Sequence, residues 1–364
     1  MPPPALDIRQ LTLHSSGHTA LDSLSFTVAP GSLTAVAGAK GSGKTALMRI
    51  LGGTLHTRTG SVLCDGEALG RMPASKRDFG LVQQPDTLFP HLTLAENVAL
   101  PLRGRGVKRA ARLPLARETL DLLQLDAPYD TRTRDAGLAD IQRTLLARAA
   151  VFGPKVMILD EPFPCADGMP RLALIAGLGR IHDLLGATIV FATRHLRDAL
   201  PIADQIIVLR GGRLEQAAAP EVIFNRPASA FVAALGGETN HLRGTLEDKE
   251  DDIATVKLAC GPLVEARIAE DLRAGSDCEV LLRPEHIAVA PVPAAEIGGG
   301  ALDATLIESQ FWGDSYRLRL LIGSGAELIV RRPAIGGLRG LAPGRPCAVA
   351  WQNHHAMVFA SQLP

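Results

Sequence analysis

The chain has 364 residues, room for two domains and a sizeable core at about 150 residues per domain. Its 38 Lys and Arg balance 38 Asp and Glu, so no net field gathers nucleic acid or anionic lipid, and a nucleic-acid-binding protein is disfavoured. Hydrophobic residues at 46% with 21% charged make a globular composition, and no apolar run reaches the ~18 residues needed to cross a bilayer.

The N-terminal MPPPALDIRQ lacks the basic start and apolar stretch of a secretory signal, so a cytosolic location is expected. Ser32 to Ala37 reads as a short apolar strand. It runs into Gly38-Ala39-Lys40-Gly41-Ser42-Gly43-Lys44-Thr45 and a helical stretch over Ala46 to Leu51, which is G-x-x-x-x-G-K-[ST] in its strand-loop-helix setting. Glycines let the backbone close around phosphates with N–H groups inward, and the helix start adds a positive dipole end. In that reading the loop Gly38 to Thr45 holds ATP, Lys44 reaches the β- and γ-phosphates, and the Thr45 hydroxyl ligates Mg2+.

Further on, Arg143 to Val151 and Met169 to Leu185 read as helices, and Val156 to Leu159 and Thr188 to Ala192 as buried strands. Strands separated by helices predict an α/β core with a largely parallel sheet. Val156 to Leu159 ends in Asp160-Glu161: Asp160 is placed to hold Mg2+, and Glu161 to polarise an attacking water as general base. Without the phosphate loop, the same pair would read as a solvated strand end. Past Gly236-Gly237 the texture becomes short β-rich runs, Ile253 to Leu258, Cys278 to Leu282, Tyr316 to Ile322 and Ala348 to Trp351, which predict a small all-β domain. Pro291 to Gly300 reads as a loop. Cys64, Cys165, Cys260, Cys278 and Cys347 are scattered without C-x-x-C spacing, so neither a disulfide framework nor a zinc site is expected.

Taken together, these residues resemble the ATP-binding subunits of ABC importers over nearly the whole chain. Phe79-Gly80-Leu81-Val82-Gln83-Gln84 followed by Leu88-Phe89-Pro90-His91-Leu92-Thr93 is similar to the family's Q-loop region, and Asp167 matches its D-loop aspartate. Gln142-Arg143 and Leu146-Ala147-Arg148-Ala149 resemble the helix after its signature motif. Gly237-Glu238-Thr239-Asn240 and Arg283-Pro284-Glu285-His286-Ile287 resemble the linker and TOBE domain of importers for polyamines, ferric iron, sugars and oxyanions; alone, Arg283-Pro284-Glu285 would read as a surface turn.

The resemblance implies an α/β P-loop NTPase, an ABC cassette over 1–236 with a helical subdomain at about 92–150, followed by an oligonucleotide-binding-like β domain over 237–364. It implies a catalytic role for Gln84, which contacts Mg2+ and the attacking water, and a cassette dimer whose Asp167 crosses the interface. It further implies integral membrane permease subunits and an external solute-binding protein as partners, at the inner face of the cell membrane. A hydrolysis-impaired regulatory cassette working with a competent partner is the rival reading. A nucleic-acid-handling ABC ATPase would need a second cassette, a coiled-coil insertion or zinc ligands, for which the sequence offers nothing.

Two family motifs are altered. The signature L-S-G-G-Q aligns with Ala136-Gly137-Leu138-Ala139-Asp140, which lacks the serine hydroxyl and adds Cβ atoms where the backbone should approach the partner's phosphate closely. An Asp140 carboxylate ~6 Å from that phosphate would repel it by about 2–3 kcal/mol at an effective dielectric of ~20. Asp140 also reads as the N-cap of the helix that follows. At the switch, Arg194 replaces the family's histidine; it can donate to a γ-phosphate but cannot relay a proton, and a one-residue slip would bring in His195 instead. The base-stacking aromatic near the N-terminus is replaced by Ser15, with His14 as a substitute.

Overall fold

A computed structural model describes residues 3–15, 18–83, 88–163, 168–298 and 300–361. The chain divides into two compact units, Met1–Ile223 and Phe224–Pro364.

In the first unit β1 (Leu6–Ser15) and β2 (His18–Val28) form an antiparallel hairpin. β3 (Leu33–Ala37), buried at every position, feeds the 38–43 loop and α1 (Lys44–Gly52). β4 (Thr59–Cys64) returns to pair with β1 and carries β5 (Glu67–Ala68), completing an antiparallel sheet of order β2-β1-β4-β5. Arg77, at the end of α2 (Ala74–Arg77), donates to the Ile50 and Leu51 carbonyls at 2.7 and 2.6 Å, so a cation seals the negative end of α1.

β6 (Gly80–Val82) then joins the second sheet. The three helices α3 (Leu94–Gly104), α4 (Arg109–Leu122) and α5 (Leu138–Ala150) pack on one another. The first starts on a capping box in which Thr93 and Glu96 satisfy each other's backbone N–H groups. The chain continues through β7 (Val156–Asp160), α6 (Met169–Leu185), β8 (Thr188–Thr193), α7 (Leu196–Ala199), β9 (Gln205–Arg210), β10 (Arg213–Ala218) and α8 (Pro220–Asn225). The resulting sheet has the order β10-β9-β3-β8-β7-β6, parallel except for the edge strand β10. The central strands β3, β7 and β8 are buried along their length and mostly apolar because both faces of the sheet are covered.

The second unit begins with the end of α8 and with α9 (Ala230–Leu235). β11 (Asn240–Glu250), β12 (Ile253–Leu258), β13 (Leu263–Ile268) and β14 (Asp277–Leu282) follow. After β15 (Ala288–Ala290) and α10 (Ala294–Ile297) come β16 (Leu302–Phe311), β17 (Ser315–Ile322), β18 (Ala326–Pro333), β19 (Pro346–Ala350) and β20 (Ala356–Ala360). β20 closes a barrel of order β11-β12-β13-β20-β14, and the other strands make a sheet of order β15-β19-β16-β17-β18.

Leu246, Val280, Leu320, Val330 and Val358 belong to one core shared by barrel and sheet. Buried Asn240 sews the two together: its amide donates to the Leu282 and Ile329 carbonyls at 3.1 and 2.8 Å, and its oxygen accepts from Ile329 N–H at 2.6 Å. Two local readings need correction. The stretch 291–300 contains the helical turn α10. Arg283 is 4% exposed, so its segment is no surface turn.

Candidate nucleotide-binding site

The carboxyl ends of β3, β7 and β8 converge, since Ala37 lies beside Thr193, and Asp160 beside Ala192, in register. In an open α/β sheet this edge is where ligands bind. The 38–43 loop fits only glycine at two points. A Cβ on Gly38 would lie 2.4 Å from the Leu209 carbonyl, and one on Gly43, at φ +98°, would lie 2.5 Å from the Ala20 carbonyl. The loop is thus wedged between β9 and the β1–β2 hairpin, which holds it in shape before any ligand arrives.

Lys44 Nζ donates to the Gly38 and Ala39 carbonyls at 2.7 and 2.9 Å and to Ser42 Oγ at 3.2 Å. Burial pushes its ammonium below the ordinary lysine range, while Glu161 and Asp160 pull it partly back. The result is a preorganised cation folded over its own loop, able to exchange carbonyls for phosphate oxygens.

At the end of β7, Asp160 is 1% exposed and accepts from Thr45 Oγ1 at 3.4 Å. Its Oδ2 is buried without a partner, and burial is the main reason its carboxyl is pushed above the usual range. An orphaned carboxylate oxygen next to a hydroxyl is a hard-oxygen donor set that fits Mg2+.

Glu161 follows at φ +48°, a left-handed conformation sparsely used by residues other than glycine, with its N–H donating to the Ala192 carbonyl at 3.1 Å. Arg194 Nε donates to Glu161 Oε1 at 2.6 Å. Glu161, Phe163, Arg171, Thr193, Arg194 and His195 line a cavity of about 150 Å³. Beneath it Arg171 clamps Asp198 with two bonds of 2.6 Å and reaches the Phe163 carbonyl at 2.9 Å, and Thr193 Oγ1 donates to Asp198 at 2.5 Å. This clamp anchors the segment that carries Arg194. Sequence reasoning missed it, because Arg171 and Asp198 lie 27 residues apart with no motif to link them.

His195 is exposed at the N-cap position of α7, and it is Arg194 that meets Glu161. His14 is exposed on β1, its Nδ1 3.2 Å from Thr19 Oγ1. Gln84 and Asp167 lie outside the described residues. Neighbouring Gln83 accepts from Thr54 Oγ1 at 2.9 Å and so ties the end of β6 to the turn after α1.

The reading of Asp140 as an N-cap is overturned. Gly137 is the N-cap of α5 and Asp140 sits in the first turn, 8% exposed. Its carboxylate accepts from Arg143 Nη1 at 2.8 Å and from Asp126 N–H at 3.2 Å, and the same Nη1 reaches Asp126 at 2.5 Å. An inward carboxylate neutralised by arginine is not the outward charge that would repel a partner's phosphate. What remains outside is Leu138, 61% exposed, at the first position of the helix.

Known protein families match the chain in both of its units. The ABC transporter family matches residues 21–164 and the TOBE domain family residues 280–359. The chain is 30% identical to the spermidine/putrescine import ATP-binding protein PotA of Rubrobacter xylanophilus, over 99% of this chain and 95% of that protein. It is 31% identical to the Fe(3+) ions import ATP-binding protein FbpC of Brucella abortus, over 92% of each. It is 37% identical to the sulfate/thiosulfate import ATP-binding protein CysA of Xylella fastidiosa, over 73% of this chain and 77% of that one. In fold it is similar to the ATP-binding cassette MJ0796 in a dimeric post-hydrolysis state, at TM-score 0.53 and 24% identity, covering 59% of this chain and 98% of that one. With an intact phosphate loop, an acidic strand end, a TOBE match over 280–359 and relatives aligned along nearly the whole chain, it belongs to the ATP-binding subunits of ABC importers, an ABC ATPase family.

Proposed function

We propose that the chain binds ATP with Mg2+ on Gly38 to Thr45 and drives solute import as one of a pair of cassettes docked on membrane permease subunits at the cytoplasmic face, with turnover restrained by Arg194. The observation that carries this is the 2.6 Å contact from Arg194 Nε to Glu161 Oε1 beside the 38–45 loop and Asp160. Lys44 releases its loop carbonyls to bind the β- and γ-phosphates, while Thr45 and Asp160, with Gln84, hold Mg2+. When bound, the metal would neutralise charge that develops on the phosphates. Glu161 must offer a free lone pair to the attacking water, and Arg194 occupies one of its oxygens.

No helix among the described residues is long and apolar enough to cross a membrane, which suits a subunit that relies on separate permease chains. Similar proteins are named for import of spermidine/putrescine, Fe(3+) ions and sulfate/thiosulfate; in this reading the solute is a polyamine or ferric ion, delivered by an external binding protein. Exposed Leu138, in the place of the signature glycine, favours a second reading in which the chain binds ATP, hydrolyses it slowly and depends on a competent partner cassette. Phosphate release per site from the purified chain, alone and reconstituted with its permease, separates the two. Stimulation of the paired cassettes by permease supports the first reading, and turnover that stays at the Glu161→Gln blank supports the second.

A further inference from the structure

Arg171, in the first turn of α6, joins the two strand exits that carry Glu161 and Arg194. Its Nε and Nη2 donate to the two carboxylate oxygens of Asp198 at 2.6 Å each, and its Nη1 donates to the Phe163 carbonyl at 2.9 Å. Phe163 lies on the segment that leaves β7 through Glu161, and Asp198 lies in α7, which follows β8 and Arg194. One planar guanidinium therefore spans both exits, and its fork fixes their direction as well as their separation.

The connection reaches Arg194 through Thr193. The Thr193 hydroxyl donates to Asp198 Oδ2 at 2.5 Å and accepts from the His195 N–H at 3.1 Å, so one side chain holds the backbone on both sides of Arg194. On the other exit, Phe163 is buried with its ring edge-on to Phe191, centroids 6.0 Å apart. Glu161 itself stands at φ +48°, and a backbone held in that region persists only where its surroundings fix it. Arg171, Thr193 and Asp198 line the same cavity as Glu161 and Arg194.

A buried ion pair is weak evidence for stability, since apolar side chains of similar volume pack about as well. What the fork supplies, and apolar packing does not, is a fixed placement of two reacting groups. The geometry points to Arg171, working with Asp198, as a positioning residue for ATP hydrolysis that holds Glu161 where it meets the attacking water and keeps Arg194 in register with it. The inference rests on the reading of Glu161 as general base and Arg194 as its restraint. Because Arg171 acts through these two residues and not through the 38–45 loop, its loss falls on kcat and spares ATP binding.

The test uses Arg171→Lys, which keeps the charge and loses the fork. In the full-length chain carrying Arg194→His, where the restraint is gone and the effect on Glu161 is read alone, Arg171→Lys should lower kcat about tenfold. Calorimetry should find the affinity for Mg2+ and ATP unchanged. With Arg194 in place and no nucleotide, NMR of isotope-labelled arginine reads the Nε–H that Arg194 donates to Glu161, assigned by its loss in Arg194→His. Arg171→Lys should move that signal to the position of solvent-exposed arginines.

Arg171→Met combined with Asp198→Leu replaces the pair by apolar side chains and separates placement from stability. Turnover and the Arg194 signal should stay impaired even where the melting temperature returns to the wild-type value. An Arg194 signal unmoved by Arg171→Lys, ATP affinity that falls together with kcat, or turnover that recovers with the melting temperature in the double variant overturns the proposal. Should Arg194→His already sit at the Glu161→Gln blank, the reading of Glu161 as base fails instead, and the Arg194 signal alone decides the role of Arg171.

Discussion

Arg194 Nε and Glu161 Oε1 are 2.6 Å apart, joining the residue in the switch position to the carboxylate placed to activate water. The pair is asymmetric: the arginine side chain is 48% exposed and the glutamate 15%. Glu161 raises the arginine further above its already high range, so the guanidinium stays charged at any working pH. A half-exposed pair adds only about 0–1 kcal/mol to stability. Arg194→Ala is therefore expected to melt within a few degrees of the wild type, which thermal denaturation checks. A large loss of melting temperature would mean that Arg194 acts as scaffold.

The signature segment carries the opposite kind of pair. Asp140 and Arg143 are both buried, and removing the carboxylate leaves a buried guanidinium dependent on the more exposed Asp126. Asp140→Gln is expected to lower stability by about 1–3 kcal/mol without improving turnover. A Cβ on Gly137 would meet open space and its backbone is extended, so Gly137→Ser should be neutral within about 0.5 kcal/mol. Urea denaturation of the two variants checks both numbers, and equal stability for both would contradict the inward placement of Asp140.

Asp160 trades stability for function. Its carboxyl is raised above 3.8 by burial, so the folded state holds the proton more tightly than the unfolded state does. The stability contributed by that protonation is present below the unfolded value and lost as pH rises through the folded one. Asp160→Asn should therefore raise the melting temperature of the ligand-free protein at pH 7 by about 2–4 °C, with a smaller gain near pH 4. It should also abolish most of the further stabilisation by Mg2+ and ATP. Scanning calorimetry at the two pH values with and without nucleotide measures all of this.

Lys44→Ala removes the cation that closes over the Gly38 and Ala39 carbonyls. ATP binding is expected to weaken at least about tenfold, since a charge-assisted contact to phosphate is lost. Titration calorimetry with Mg2+ and ATP reads it directly. Equal affinity in the wild type and the variant would remove Gly38 to Thr45 as the nucleotide site.

Much of the site was legible because its parts are contiguous. Gly38 to Thr45 and Asp160-Glu161 announce themselves as short motifs after apolar strands, and β3, β7 and β8 are mostly apolar because both sides are covered. The second unit was half legible: Ile253–Leu258 stands out as a run, whereas β11 is mostly solvent-facing and both β11 and β16 carry charges that mask their alternation. Asp140 was misread because an acidic residue before a helical pattern suits both a cap and a first-turn position. Only Arg143, reaching back from three residues ahead, decides between them. The Arg171–Asp198 clamp joins distant segments, so it leaves no local signature.

The restraint by Arg194 is tested most directly by phosphate release from the purified cassette, comparing wild type, Arg194→His and Glu161→Gln. Arg194→His frees Glu161 and restores a compact side chain at the switch. Recovering ~1.4 kcal/mol of barrier raises turnover about tenfold, and adding Leu138→Gly and Gly137→Ser should raise it further by clearing the face offered to a second cassette. The Glu161→Gln variant should fall to background. A wild-type rate equal to that of Arg194→His, with Glu161→Gln alone at background, would contradict the restraint.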